Sequence, residues 1–300
     1  MALRAGIDIG TNTILLLVAE VNGASIRPIE DHVTVVRLGQ GVDKNRVFHP
    51  DAIQRARACF AKYAEILKKY PGIDVRAVAT SGSRDAKNSG EFFASIEKDY
   101  GIPVRVISGE EEALLSFRGA LPEGAADPEK IAVLDIGGGS SEIVGQENGK
   151  LFRFSFDMGC VRLSERFLKS DPALDSEIQE LRAFVKAELA KQKGILGQVK
   201  GKTLVGVAGT ATYLASSSLG LTQFIPEKVD GSRITLAQVD MLIEKFLPLT
   251  AAERLGMGGM DKGRADVIVA GALILREILV ACGLDGFQAS VRGLRYGAVL

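Results

Sequence analysis

Tryptophan is absent from this 300-residue chain, histidine occurs twice and cysteine three times. Cys59, Cys160 and Cys282 are odd in number and far apart. They make neither a disulfide framework nor a zinc pattern, and they fit a reducing cytoplasm. His32 and His49 stand without a serine or cysteine partner pattern and read as structural. Charge of one sign is also missing, with 37 basic against 37 acidic residues. That balance argues against a general electrostatic trap for nucleic acid. The most apolar stretch, Val267 to Leu275, is nine residues long and is followed by Arg276-Glu277. It is too short to span a bilayer and reads as a buried helix. Met1 to Gly6 contains no signal-peptide core, so a cytoplasmic location is expected. There is no G-x-x-x-x-G-K-[ST] sequence, which excludes a P-loop protein. Gly137 to Gly139 do not lead a βαβ unit with G-x-G-x-x-G spacing, which argues against a Rossmann cofactor site.

What is present is one short phrase, twice. Asp8-Ile9-Gly10-Thr11-Asn12-Thr13 opens the chain, and Asp135-Ile136-Gly137-Gly138-Gly139-Ser140-Ser141-Glu142 recurs 127 residues later. Each copy lies between apolar runs and reads as strand, tight glycine turn, strand. Each tip then carries a carboxylate, backbone amides and hydroxyls. Such groups hold phosphate oxygens, and the carboxylates of Asp8 and Asp135 suit a metal ion. Glu142 follows Asp135 by seven residues, so the two carboxylates can share a magnesium site across the hairpin. The spacing of the copies favours two related halves.

The first 40 residues read as three strands. Helical spacing of Ile53, Ala56, Phe60, Tyr63, Ala64 and Leu67 predicts a helix from Pro50 to about Lys69. A strand at Val75–Ala79 delivers the turn Thr80-Ser81-Gly82-Ser83-Arg84. There Arg84 is a candidate bidentate phosphate ligand. Helices at about 90–100 and from near Glu110 to Ala120 flank a strand at Val104–Ile107. Glu110, Glu111 and Glu112 favour a helix start through the macrodipole, and adjacent helical positions point ~100° apart, so they cannot all serve one site. Pro122 to Lys130 is the best linker candidate. The second half reads as the Asp135 hairpin, a strand at Leu151–Phe156, and helices near 161–169 and 175–193. A strand at Thr203–Val207 follows, then a turn at Ala208 to Thr212, and a long apolar helix over 266–282. Gly209 and Thr210 offer amides to a polyanion. Arg162, Arg264, Arg292 and Arg295 have weaker individual claims. Strands grouped first and then alternating with helices, twice over, predict two α/β domains with mixed sheets, 1–122 and 123–300, with ligand held in a cleft between them.

In order along the chain, several pieces resemble the exopolyphosphatase/guanosine-pentaphosphate phosphatase (Ppx/GppA) family. They are the Asp8 phrase, Thr80 to Arg84, Ile107-Ser108-Gly109-Glu110-Glu111-Glu112-Ala113, and Asp135 to Glu142. Gly159-Cys160-Val161-Arg162-Leu163, Gly209-Thr210, Arg264-Ala265-Asp266 and Ser290 to Gly297 complete the series. The resemblance implies two ribonuclease-H-like domains of the actin-like ATPase superfamily around a cleft. It implies magnesium-dependent release of terminal phosphate from inorganic polyphosphate, or alternatively of the γ-phosphate from guanosine pentaphosphate (pppGpp). It makes Glu112 the catalytic base with Glu111 as its neighbour in the motif. It also implies phosphate ligation by Thr11, Asn12, Thr13, Arg84, Gly137, Gly138, Gly139, Ser140, Ser141, Gly209 and Thr210, with Asp8, Asp135 and Glu142 around Mg2+. The chain departs from the family at Ser141 for threonine, at Gly82 for alanine, and at Val207-Ala208, where more glycine is usual. The longer members' extra helical region has no counterpart here, which suggests a compact enzyme preferring shorter chains. A homodimer is compatible with this reading, and neither nucleic acid nor membrane is an expected partner. An ATP-dependent phosphotransferase and a non-catalytic polyphosphate or alarmone sensor remain as lower-ranked alternatives.

Overall fold

A computed structural model of the chain describes residues 1–121, 127–260 and 262–300. These fall into two compact units, Met1–Gly124 with Gly293–Leu300, and Ala125–Arg292.

In the first unit, β1 (Ala2–Ile9), β2 (Thr13–Asn22) and β3 (Ser25–Val35) form an antiparallel meander. β4 (Asp74–Ala79) and β5 (Val104–Val106) then add in parallel to β1, for a sheet order β3-β2-β1-β4-β5. Strand alternation sends Ile7, Ile9, Ile14 and Leu16 to one face. There they pack on Phe60 and Tyr63 of the Pro50–Leu67 helix and on Phe92, Phe93 and Ile96 of the Ser89–Tyr100 helix. Pro50 starts the first of these helices, and the His49 side chain caps it by accepting from the Asp51 amide at 3.2 Å. Gly101, at φ 69°, ends the second in the left-handed conformation that glycine adopts without strain.

The opposite face of this sheet carries the Gly109–Ala120 helix and, from the far end of the chain, the Leu294–Val299 helix. Glycines let these backbones approach closely. A Cβ on Gly6 would lie 2.3 Å from the Arg295 carbonyl oxygen, one on Gly119 2.1 Å from that of Gly293, and one on Gly297 2.0 Å from that of Leu115. The expected second domain, 123–300, therefore does not hold at its end: residues 293–300 complete the first sheet's packing. The other expected boundary, near 122, lies outside the described residues, as does most of the expected linker. Its described end, Pro128–Lys130, is a single 3-10 turn capped by Asp127.

The second unit repeats the plan. β6 (Ile131–Ile136), β7 (Ser141–Glu147) and β8 (Lys150–Phe156) form the meander. β9 (Thr203–Val207) and β11 (Gly286–Ala289) extend it in parallel, and β10 (Arg233–Thr235) adds an antiparallel edge. The order is β10-β11-β9-β6-β7-β8. Ala132, Leu134 and Ile136 face a large core shared with the Asp175–Ala190, Ala208–Ser218, Leu236–Phe246 and Ile268–Cys282 helices. The last of these is buried at twelve of its fifteen positions, as its apolar run predicts. Among the described residues no helix is long and apolar enough to cross a membrane. The helix expected over 175–193 ends at Ala190, and a separate helix spans Lys193–Val199.

Candidate active site

In a parallel sheet the loops that leave the carboxyl ends of adjacent strands lie side by side, and ligands bind there. In the first unit β1 and β4 run in register to Ile9 and Ala79, so the Gly10–Asn12 tip neighbours the segment after Ala79. The tip closes with the Gly10 amide donating to the Thr13 carbonyl at 2.9 Å. The Thr11 carbonyl accepts from the Gly39 amide at 2.8 Å, and that of Asn12 from Val36 and Arg37. Thr11 Oγ1 lies 3.2 Å from Ser81 Oγ, and both residues are buried. The segment expected as a turn is instead a short helix, Ser81–Asp85. Gly82 is explained by this packing, since a Cβ there would come within 2.9 Å of Thr11 Oγ1.

The three acids that open the Gly109–Ala120 helix separate as their helical angles require. Glu110 is exposed. Glu111 is part-exposed and makes a bidentate pair with Arg105 of β5, at 2.7 and 2.6 Å. The hydrogen bonds from the guanidinium hold the Glu111 carboxyl below its ordinary range against the opposing effect of burial. Glu112 alone is buried, 6% exposed. Arg84 donates to its Oε2 at 2.8 Å and to the Ile107 carbonyl at 3.0 Å. Ser108 caps the helix by accepting from the Glu111 amide, and the Glu112 amide donates to the Ser108 carbonyl. Glu112 lies in the first turn, where the helix dipole favours a carboxylate. Asp8, on β1, shares a sheet face with Gly6, which packs against the Leu294–Val299 helix. Arg295, expected as a cleft arginine, is buried instead and holds Asp31 through Nε at 2.9 Å and Nη2 at 2.8 Å.

In the second unit Asp135 and Glu142 are direct partners in the β6–β7 register, so their side chains leave the same face. Glu142 is 1% exposed and accepts from Ser155 Oγ at 2.6 Å. The Gly137 amide closes the tip by donating to the Ser140 carbonyl at 3.0 Å. The tip's carbonyls then turn inward. That of Gly137 accepts from the Cys160 amide, and that of Gly138 from Val161 and Arg162, all at the start of the Cys160–Phe167 helix. In a planar trans peptide the N–H points opposite to the C=O. The amides of Gly138 and Gly139 are thus aimed away from that helix. Ser140 Oγ is buried and has no hydrogen-bond partner among the described residues. The Ser141 hydroxyl is fully buried and donates to the Met158 carbonyl at 2.5 Å, bracing the loop.

β9 ends beside this tip, with Val207 paired to Asp135. The Ala208–Ser218 helix begins there without a side-chain cap, which leaves its first amides, including those of Gly209 and Thr210, for an anion. Ala208 holds φ 60°, a region that disfavours a side chain. Gly209 lies under Arg264, whose Cζ would be 2.2 Å from a Cβ there and is 5.8 Å from the Tyr213 ring centre. Thr210 is buried, with Oγ1 against Gly271. Among the described residues no group of three or more His, Cys, Asp or Glu side chains converges as a metal centre. The donor set this unit offers is the Asp135–Glu142 pair, and two carboxylates plus water and phosphate oxygens suit magnesium. Sequence reasoning passed over Ser155 and Arg105. Neither has a motif. Strand register sets Ser155 opposite Glu142, and the turn from β5 into the following helix brings Arg105 to Glu111.

Two ribonuclease-H-type sheets, each with a glycine-bearing hairpin tip beside the loop of the next parallel strand, define an α/β protein of the actin-like ATPase class. The profile of the Ppx/GppA phosphatase family matches residues 17–300, and the chain belongs to that family. It is 37% identical to exopolyphosphatase 2 of Mycobacterium tuberculosis over 309 residues, covering 99% of this chain and 97% of that protein. The crystal structure of an exopolyphosphatase-like protein superposes with a TM-score of 0.92 at 34% identity, covering 99% of this chain and 98% of the other. The Ppx/GppA family member of Aquifex aeolicus superposes with a TM-score of 0.78 at 29% identity, covering 99% and 95%.

Proposed function

We propose that this chain is an exopolyphosphatase, hydrolysing the terminal phosphoanhydride of inorganic polyphosphate to orthophosphate and a chain one unit shorter. The observation that carries the reading is Glu112, a buried carboxylate at a helix start, oriented by Arg84, beyond the carboxyl ends of parallel strands. The full-length similarity to exopolyphosphatase 2 supports polyphosphate as the substrate.

Glu112 accepts a proton from water as the water oxygen bonds to the terminal phosphorus. The bond to the bridging oxygen breaks, and that oxygen leaves with the electron pair on the shortened chain. Arg84 holds Glu112 in one rotamer, which matters because a base must stay within hydrogen-bond reach of the attacking water. The Gly138 and Gly139 amides, the Ser140 hydroxyl and the amides of Gly209 and Thr210 hold phosphoryl oxygens. Phosphoryl transfer depends mainly on positioning and electrostatics, which this set of neutral donors supplies. Asp135 and Glu142 would hold magnesium, which neutralises charge on the phosphoryl oxygens when bound. Glu111 acts as a brace through Arg105.

The test is orthophosphate release from polyphosphate, guanosine pentaphosphate and ATP, with Glu112→Gln as control. Release from polyphosphate that the variant loses is the expected result. Release chiefly from guanosine pentaphosphate would reassign the substrate, and unaltered turnover by a folded Glu112→Gln protein would remove Glu112 from its role.

A further inference from the structure

The first unit carries a recess of about 450 Å³ away from the hairpin tip, and Arg76, Arg105 and Arg118 line it. Its position follows from strand register. Arg105 of β5 pairs with Val78 of β4, and Arg76 precedes Val78 by two, so both arginines leave the sheet on one face. That face is the one covered by the Gly109–Ala120 and Leu294–Val299 helices, where Val78 meets Leu115, Leu294 and Ala298. Leu115 and Arg118 are three apart on the first helix and so occupy one side of it.

The charges do not cancel. Asp74 engages Arg76 at 3.0 Å and Arg4 at 3.7 Å. Glu111 engages Arg105, and Arg4 also donates to the main-chain oxygens of Val299 and Leu300. Arg76 further donates to the Ala298 carbonyl at 3.2 Å. Arg118 is exposed and makes no hydrogen bond or ion pair with any described residue. A guanidinium offers five donors in a planar fork that matches a phosphoryl group. No described residue takes any of the five on Arg118, and Arg76 and Arg105 stand on the opposite wall.

We infer that this recess is a second oxyanion site. It takes orthophosphate or the end phosphoryl group of an oligophosphate between Arg118 and the Arg76–Arg105 pair. An anion arriving there competes with Glu111 for Arg105, and Glu111 adjoins Glu112 on the same helix turn. Occupancy thus shifts the start of that helix. Binding is independent of the proposed hydrolytic function, and only its effect on turnover rests on that reading.

The experiment is hydrogen exchange by mass spectrometry on the Glu112→Gln protein, which keeps an oligophosphate intact, with orthophosphate or tripolyphosphate as the probe. Added probe is expected to slow exchange across residues 104–120, with affinity weakened roughly tenfold in Arg118→Gln. Arg118 is exposed, so this change leaves folding intact, and Arg118→Lys should recover part of the binding. Protection by orthophosphate identifies the free ion as the ligand, and protection by tripolyphosphate alone identifies a chain end. Protection confined to the Gly137–Ser140 and Gly209 loops, or equal protection in Arg118→Gln, overturns the proposal. A protein that hydrolyses nothing can still pass this test, so the two readings fail separately.

Discussion

Glu112 and Glu111 differ by one position and have opposite environments, and that difference sets their separate consequences. Glu112→Gln keeps the volume and loses the base, so kcat should fall by roughly 10²- to 10⁴-fold with the melting temperature little changed. Steady-state phosphate release on folded protein measures this. Glu111→Gln removes a half-exposed ion pair, so stability should move by less than about 1 kcal/mol. Ala208 carries a backbone cost at the second tip. Its φ of 60° places a methyl group where L-residues lose roughly 1–2 kcal/mol. Ala208→Gly removes that strain, and the added freedom of the unfolded chain offsets part of the gain. A net stabilisation of about 0.5–1 kcal/mol in urea melts is expected, and a destabilised variant would mean the methyl group packs usefully.

Among the elements, the Asp135 hairpin depends on the helix that follows it. A Cβ on Gly159 would lie 2.4 Å from the Gly138 carbon and oxygen, which are backbone atoms and cannot rotate aside. Gly159→Ala should therefore displace the tip whose carbonyls the Cys160–Phe167 helix receives. Phosphate release should drop at least tenfold, more than the loss of stability accounts for; unchanged kcat and KM would refute the account. A second tie joins β3 to the end of the Pro50–Leu67 helix. Hydrogen bonds from Tyr70 first, and then from His32, hold the Glu30 carboxyl down to about 2. A lowered folded-state value stabilises above the ordinary carboxylate value of 4.5, and the contribution fades as pH falls toward 2. The stability gap between wild type and Glu30→Gln should thus shrink as pH drops from about 6 to about 3. A gap constant with pH would show that the ion is not what stabilises.

At the scale of the molecule, the last eight residues matter out of proportion to their number. Gly293–Leu300 belongs to the first unit, where its helix covers β1 and β2 and abuts the Gly109–Ala120 helix. Deleting it should raise hydrogen exchange across β1, β2 and the Glu112 helix while leaving β6, β7 and β9 protected. Equal loss in both units would contradict the division. Much of the fold was legible beforehand, because alternation and helical spacing are local. The two meanders, the Pro50 helix and the buried Ile268–Cys282 helix all follow from nearest-neighbour patterns. The duplicated Asp-Ile-Gly phrase carried the hairpin tips for the same reason, since a tight turn needs only its own residues. The destination of residues 293–300 could not be read, because close glycine contacts between segments nearly 180 or more residues apart leave no local signal. Nor could Arg105 be matched to Glu111, Ser155 to Glu142, or Arg295 to Asp31. The first depends on how the helix after β5 is set against that strand, the second on strand register, and the third on which sheet the last helix covers. By itself the sequence determined the two meanders, the long helices at Pro50 and Ile268, and the types of group at each hairpin tip. Only the tertiary structure decided which of three glutamates is buried, which carbonyls turn inward so that amides turn outward, and which arginines are already engaged. Those outcomes are set by register and burial, which long-range packing controls.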